Sequence, residues 1–282
     1  MSDSLHLARC AVNAETMQRE KHYIRKTSDP KEVIIIGGGI GGMEAARVLK
    51  LRGHKPVIYE ASDKLGGTFI PASSESYKGK LRDLLKWFIK QMNDLEIEVK
   101  LNTRVEDLGQ FEGKDVIVAT GSTPRRLNLP GFEKTIEAID YLNGRQVGDR
   151  VVVIGGGLTG CEIAYELALQ GKKVTIVEMK NDLIAQTGVC LANSSYLREW
   201  FELNKVDVYL ETSLKEVQDG KIICTRGNEE IVIEYDDAIS SVGYIPAPLV
   251  KEGGKVRLVG DCKSIGNLRS VIWQAYETAM KI

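Results

Sequence analysis

The stretch from Val33 to Leu65 is repeated, 118 positions later and without a gap, from Val151 to Leu183. Identical pairs include Gly37/Gly155, Gly39/Gly157, Gly42/Gly160, Glu44/Glu162, Leu49/Leu167, Gly53/Gly171 and Glu60/Glu178. Each copy opens on β-branched residues (Val33–Ile36, Val151–Ile154), a run suited to a parallel strand buried on both faces. A glycine cluster follows, then a stretch with helical spacing of apolar positions that stops at Gly53 or Gly171. A second short strand, PVIYE or VTIVE, ends on its acidic residue. Each copy is therefore half of a doubly wound parallel sheet, and two copies predict two such sheets.

A second matching pair supports this reading. DVIVATGSTP (Asp115–Pro124) and DAISSVGYIP (Asp237–Pro246) share an acidic residue, an apolar strand, a glycine and a proline. The sequence predicts an α/β protein of two Rossmann-like domains, the second inserted into the first. The expected boundaries are 31–146 with 235–282 for the first domain and 147–234 for the second. The crossings are expected near Gln146–Gly148 and Glu234–Asp237. Residues 1–30 are charged and aperiodic, and read as a linker that packs on the first domain.

The spacing Gly37, Gly39, Gly42 is G-x-G-x-x-G, and Gly155, Gly157, Gly160 repeats it. In this pattern the first glycine permits a tight turn, the second admits a pyrophosphate to the backbone, and the third brings helix and strand together. The following helix offers free N–H groups and a positive dipole end to phosphates. Glu60 and Glu178, each at the end of the next strand, can accept hydrogen bonds from adenosine ribose hydroxyls. A carboxylate at 178 favours a free 2′-hydroxyl over a 2′-phosphate, so NADH is expected over NADPH. Lys180, the one close basic residue, reads as a surface charge.

Other features bound the reading. The 38 basic and 39 acidic side chains nearly cancel, which gives no reason to expect a nucleic-acid partner. Apolar runs are too short to cross a bilayer, and the first residues lack a secretory layout. Five scattered cysteines fit a reducing cytoplasm, the expected location. No C-x-x-C occurs, no Cys/His set has zinc spacing, and no metal site is expected. Of the histidines His6, His22 and His54, the last sits in a turn and reads as structural. Cys190 has no charged neighbour that would make it reactive. The aromatic residues of Lys86–Lys100 (helix, then strand) and Tyr196, Trp200 and Phe201 on a helix over Asn193–Asn204 read as core.

On these residues, with CAVNAETMQRE at Cys10–Glu20, LGG at Leu65–Gly67, ATG at Ala119–Gly121 and VGDCKSIGNLRSVIWQAYETA from Val259, the chain resembles the two-dinucleotide-binding-domain flavoproteins. It is most similar to the C-terminal region of old-yellow-enzyme-related NADH:flavin oxidoreductases, the group of 2,4-dienoyl-CoA and enoate reductases. The resemblance implies FAD at Gly37, Gly39, Gly41, Gly42, Glu60 and Ala61, with Gly66, Gly67 and Thr68 passing the pyrophosphate. It further implies contacts at Val105, Ala119, Thr120 and Gly121, with Gly260 and Asp261 at the ribityl chain. A helix starting near Asn267 and Leu268 would face the flavin N1–C2=O edge, where a positive dipole end stabilises reduced flavin. NADH would lie on Gly155, Gly157, Leu158, Thr159, Gly160, Glu178 and Gly243. Glu162 matches an acidic position near the nicotinamide in such domains, and equally fits a solvent-facing helix residue.

Family members begin with a barrel carrying FMN and a cysteine cluster that ligates a 4Fe–4S centre. Cys10 matches the last cluster ligand, but a four-iron cluster needs four. The resemblance therefore implies an NADH-to-FAD module whose acceptor is an FMN/4Fe–4S-bearing N-terminal portion or another protein. The rival expectations are a nucleotide-binding docking subunit without turnover, and an electron-transfer subunit that does not use NAD.

Overall fold

The computed structural model describes residues 8–18 and 20–282; His6, and Arg19 within the Cys10–Glu20 stretch, lie outside them. From the first repeat onward the chain forms β1 (Glu32–Ile36), α1 (Ile40–Leu51), β2 (Lys55–Tyr59), a short α2 (Phe69–Ala72), α3 (Gly79–Asp94), β3 (Glu98–Lys100), β4 (Asp115–Val118) and β5 (Ser122–Pro124). It continues through β6 (Ile136–Glu137), α4 (Ala138–Leu142), β7 (Arg150–Ile154), α5 (Leu158–Leu169), β8 (Lys173–Val177), α6 (Leu191–Leu203) and β9 (Asp207–Tyr209). Then come β10 (Ser213–Gln218), β11 (Lys221–Arg226), β12 (Glu229–Glu234), β13 (Asp237–Ser240), β14 (Tyr244–Pro246), β15 (Val256–Leu258) and α7 (Leu268–Ala279).

Two parallel five-stranded sheets result, ordered β15-β4-β1-β2-β3 and β6-β13-β7-β8-β9. Each repeat supplies the middle of one sheet, so β1 and β7 each lie between the strand that follows next, β2 or β8, and one that returns later to the other side, β4 or β13. That reversal of strand order is where doubly wound sheets open a crevice at their carboxyl ends. The β-branched strands are buried as their composition requires: Val33–Ile36 and Val151–Ile154 are at most 4% exposed. Burying each such side chain contributes about 1.5–3 kcal/mol.

The first compact unit comprises 1–73, 79–123 and 245–282, and the second 74–78 and 124–244. The second is thus inserted into the first, but the boundaries differ from those expected. The crossings fall at Thr123/Pro124 and Tyr244/Ile245, rather than near Gln146–Gly148 and Glu234–Asp237. The reason is pairing. Asp237–Ser240 forms β13, hydrogen-bonded to β7 and β6 in the second sheet, where it occupies the place that β4 holds in the first. The second unit also has an antiparallel sheet, β10-β11-β12, whose Val217, Ile222 and Ile233 cover one face together with Val152, Ile154 and Val177. The segment Ser74–Lys78, between α2 and α3, belongs to this unit too.

In the first unit α1, α3 and α7 pack on one sheet face through Met43, Leu49, Phe88, Met92, Ile272 and Tyr276. The described part of the expected linker has neither helix nor strand, yet it is tied down. The Trp273 indole N–H donates to the Cys10 carbonyl (3.0 Å), the Tyr276 hydroxyl to the His22 carbonyl, and Ala14 and His22 are buried. Phe88 and Phe201 are core as expected. Trp87 (41% exposed) and Tyr196 (52% exposed) are not, because each lies on the outer face of its helix. Among the described residues no helix is long and apolar enough to cross a membrane, and no His/Cys/Asp/Glu group could hold a metal.

Candidate dinucleotide-binding sites

The three glycines of each fingerprint can be tested one at a time by the space a Cβ would need. Gly37 and Gly155 both have φ +106°, and a Cβ there would stand 2.4 and 2.3 Å from the carbonyl oxygens of Ala119 and Ser241. A Cβ on Gly42 or Gly160 would meet the carbonyl of Gly37 or Gly155 at 1.9 and 2.0 Å, so helix and turn touch backbone to backbone. The middle glycines differ. Gly39 has no close neighbour on that side, the nearest being the Gly66 carbonyl at 4.0 Å. Space beside the middle glycine, and tight contact at the outer two, is the arrangement a pyrophosphate requires.

Helices α1 and α5 begin directly after the middle glycines, Gly39 and Gly157, with no side-chain cap and no acidic residue in the first turn. Their leading N–H groups and dipole ends are left to a ligand. Each acidic residue is already oriented. One Glu60 oxygen accepts from Gly38 N–H (2.6 Å), the other from Ser62 N–H (2.7 Å) and the Ser62 hydroxyl (2.8 Å). Glu178 accepts from Gly156 N–H (2.7 Å) and Lys180 N–H (2.8 Å). Both carboxylates are buried, held by charge-assisted bonds that fix their remaining lone pairs in direction.

The remaining positions expected for FAD fall in the first unit. Gly66 N–H donates to the Gly38 carbonyl (2.9 Å), so the Gly66–Gly67 turn (φ +127° and +52°) runs beside the fingerprint, with Ala61 and Thr68 exposed nearby in sequence. Ala119 N–H binds the Ile36 carbonyl, and Thr120 Oγ1 donates to the Ala247 carbonyl, which shapes the loop through Gly121 (φ +74°). Gly260 (φ +72°) starts a single helical turn in which Asp261 accepts from Gly266 N–H (3.1 Å), and burial pushes the Asp261 carboxyl upward. Asn267 caps α7 through a reciprocal pair with Ser270 (3.0 and 2.8 Å), and Leu268 is its first residue. Two positions have other duties. Val105 is buried in a core with Phe111 and Val116, so its side chain packs inward. Gly41 lets α1 approach Val271 of α7, where a Cβ would be 3.2 Å away.

The second unit holds Gly155–Gly160, Glu178, the half-buried Leu158 and Thr159, and Gly243 (φ +95°), whose carbonyl accepts from Arg125 N–H (2.9 Å). Lys180 is exposed and its ammonium donates to the Ala185 carbonyl (3.1 Å). Glu162 is not a free surface acid. Lys78 Nζ lies 2.8 Å from it and 3.0 Å from the buried Glu75, whose carboxyl burial pushes upward. Ser76 binds Glu166 and Tyr77 stacks edge-on against Tyr165 beside this trio. No local spacing in the sequence relates residues 75–78 to Glu162, and that cluster went unforeseen. Cys161 is buried and pushed up to about 12, and Cys190 is exposed at the start of α6.

The chain resembles known proteins in sequence and fold. A family model described as pyridine nucleotide-disulphide oxidoreductase matches residues 31–262. A cinnamate reductase of Clostridium sporogenes is 38% identical over 97% of the chain and 42% of its own length. An NADH oxidase of Thermoanaerobacter brockii is 30% identical over 97% of the chain and 44% of its own. A solved 2-naphthoyl-CoA reductase complex is 26% identical with a TM-score of 0.87, over 97% of the chain and 43% of the reductase. The chain thus spans less than half the length of these relatives.

Proposed function

The chain belongs to the pyridine nucleotide-disulphide oxidoreductase family, which binds FAD and uses NAD(P)H, and on that premise we propose that it oxidises NADH at the expense of FAD. Within the family it corresponds to the C-terminal FAD/NAD(P)-binding region of the old-yellow-enzyme-related NADH:flavin oxidoreductases. The observation that carries the proposal is the duplicated seat: two fingerprints of one geometry, each with an oriented carboxylate, in two separate units.

FAD, when bound, supplies the ring that accepts a hydride. The residues of the first unit suit it. Gly39 leaves the pyrophosphate its space, Glu60 offers lone pairs to a ribose, and Asp261 sits beside the start of α7. In the second unit Glu178 has both oxygens held in place and would accept from a ribose 2′-hydroxyl. Lys180, directed to the Ala185 carbonyl, does not face a 2′-phosphate. Two unit charges 4 Å apart repel by about 4 kcal/mol at an effective dielectric near 20, so even a largely screened phosphate–carboxylate contact costs NADPH about tenfold or more in affinity. We assign the role of acceptor to an FMN/4Fe–4S-bearing N-terminal portion or another protein, on the likeness to the C-terminal part of larger enoate reductases.

An anaerobic titration of the FAD-loaded chain tests this. NADH should bleach the flavin absorbance, NADPH should do so only at higher concentration, and cinnamate or another enoate should not reoxidise the chain on its own. Failure of both nucleotides to bleach the flavin would sink the reductase reading. Preference for NADPH would overturn the role given to Glu178.

A further inference from the structure

The two repeats part company over the second fingerprint. Gly66, Gly67 and Thr68 of the first copy correspond, at the repeat's 118-residue offset, to Ile184, Ala185 and Gln186. The hydrogen bond that places the turn is kept, since Ile184 N–H donates to the Gly156 carbonyl (2.7 Å) as Gly66 N–H does to Gly38 (2.9 Å). The left-handed backbone is kept as well, with φ +53° at Ile184 where the first copy has glycine. A β-branched residue is a true outlier there, and such conformations persist only when the surroundings over-determine them. They do so here. The Ile184 side chain is buried in the core of the second unit, Gly156 anchors its N–H, and its carbonyl accepts from Gln186 N–H (2.8 Å).

This strained turn delivers the Gln186 side chain to the middle glycine. A Cβ on Gly157 would stand 3.5 Å from Gln186 Oε1, whereas in the first copy only a backbone carbonyl at 4.0 Å faces Gly39. The amide oxygen thus lies in van der Waals reach of Gly157, beside the uncapped, positive end of α5 that a pyrophosphate would approach. Gln186 is exposed, and among the described residues its head group is held by no hydrogen bond of its own, so it can leave.

We propose that Gln186 is an internal mask of the second dinucleotide seat: its side chain covers Gly157, and a nicotinamide dinucleotide must displace it to bind. The inference rests on the reading that the second fingerprint takes NADH. It makes Gln186 a determinant of nucleotide affinity at a position where the first seat has only Thr68 after a pair of glycines. A ligand whose competent state is populated only in part binds more weakly by that fraction, so a seat masked four-fifths of the time loses about fivefold in affinity.

Calorimetry with NAD⁺ on the FAD-loaded chain tests it, with flavin content checked in every protein. Q186A should bind about fivefold more tightly than the wild type, and Q186E more weakly, because a full negative charge competes better for the helix end and repels the phosphates. Flavin content should be the same in all three. Equal or weaker binding by Q186A than by the wild type overturns the mask and leaves the second site's assignment standing. No binding by either the wild type or Q186A removes the assignment of the second seat, and the mask with it.

Discussion

Lys78 shows how one side chain can hold two acids in place. It bridges the buried Glu75 and the half-buried Glu162, and losing it removes the cation that both carboxylates share. Removing one partner of a buried ion pair costs about 3–5 kcal/mol. Lys78→Met should therefore lower the urea midpoint of the second unit by an amount in the lower part of that range, since Glu162 keeps some contact with solvent. Glu75→Gln leaves Lys78 its contact with Glu162 and so escapes that cost, and its pH dependence fixes the cause. Burial raises the folded-state pKa of Glu75 above its ordinary 4.5, so the folded state holds a proton that the unfolded state has lost. Stability then falls as pH rises from about 4.5 through the raised value. Glu75→Gln removes that loss: the variant should match the wild type near pH 4 and equal or exceed it at pH 8. An advantage confined to acid pH would contradict the assignment.

Helices α1 and α5 are seated by glycine at their first turns, ahead of the side chains that pack further along. A methyl at Gly42 or Gly160 would lie about 2 Å from a carbonyl oxygen, a distance that only movement of the helix can relieve. Overpacking of this kind costs about 1–3 kcal/mol, and here the clash is with backbone. Gly42→Ala should weaken FAD retention on dialysis along with stability, and Gly160→Ala should weaken NAD⁺ binding while flavin content is retained. If Gly160→Ala lost flavin and Gly42→Ala did not, the assignment of cofactors to units would be reversed. The α3 and α6 helices follow another logic. They bury one stripe, through Phe88 and Met92 or Leu197 and Phe201, and leave Trp87 and Tyr196 to solvent.

Each unit has its own cores on both faces of its own parallel sheet, with no residue shared between the two sets. A ligand confined to one unit should stabilise that unit alone. FAD at about a hundredfold above its Kd should add about 2.7 kcal/mol. Hydrogen exchange should show the gain in β1, β4 and α7, while β7 and β8 remain unchanged until NAD⁺ is added. Uniform protection by FAD across both sheets would argue against independent seats.

Most of the nucleotide chemistry was legible in the chain, because it rests on local geometry. A positive-φ turn, a backbone contact at the third glycine and a carboxylate at the end of the next strand lie within one βαβ unit, and their spacing records them. The repeat made them legible twice. The crossings were not. Asp237–Ser240 has the composition of any parallel strand, and only its hydrogen bonds to β7 and β6 assign it to the second sheet. Lys78 and Glu162 were not legible for the same reason, since the residues between them carry no pattern linking the two. Gln186 stood at a known offset from Thr68, but its reach over Gly157 depends on a left-handed isoleucine that no propensity predicts. The sequence by itself determined two Rossmann-like folds and the glycines and glutamates that shape each fingerprint turn. Tertiary packing alone decided where one unit ends, which cation neutralises Glu162 and what lies over the second seat, because those are contacts between segments whose separation along the chain leaves no periodic trace.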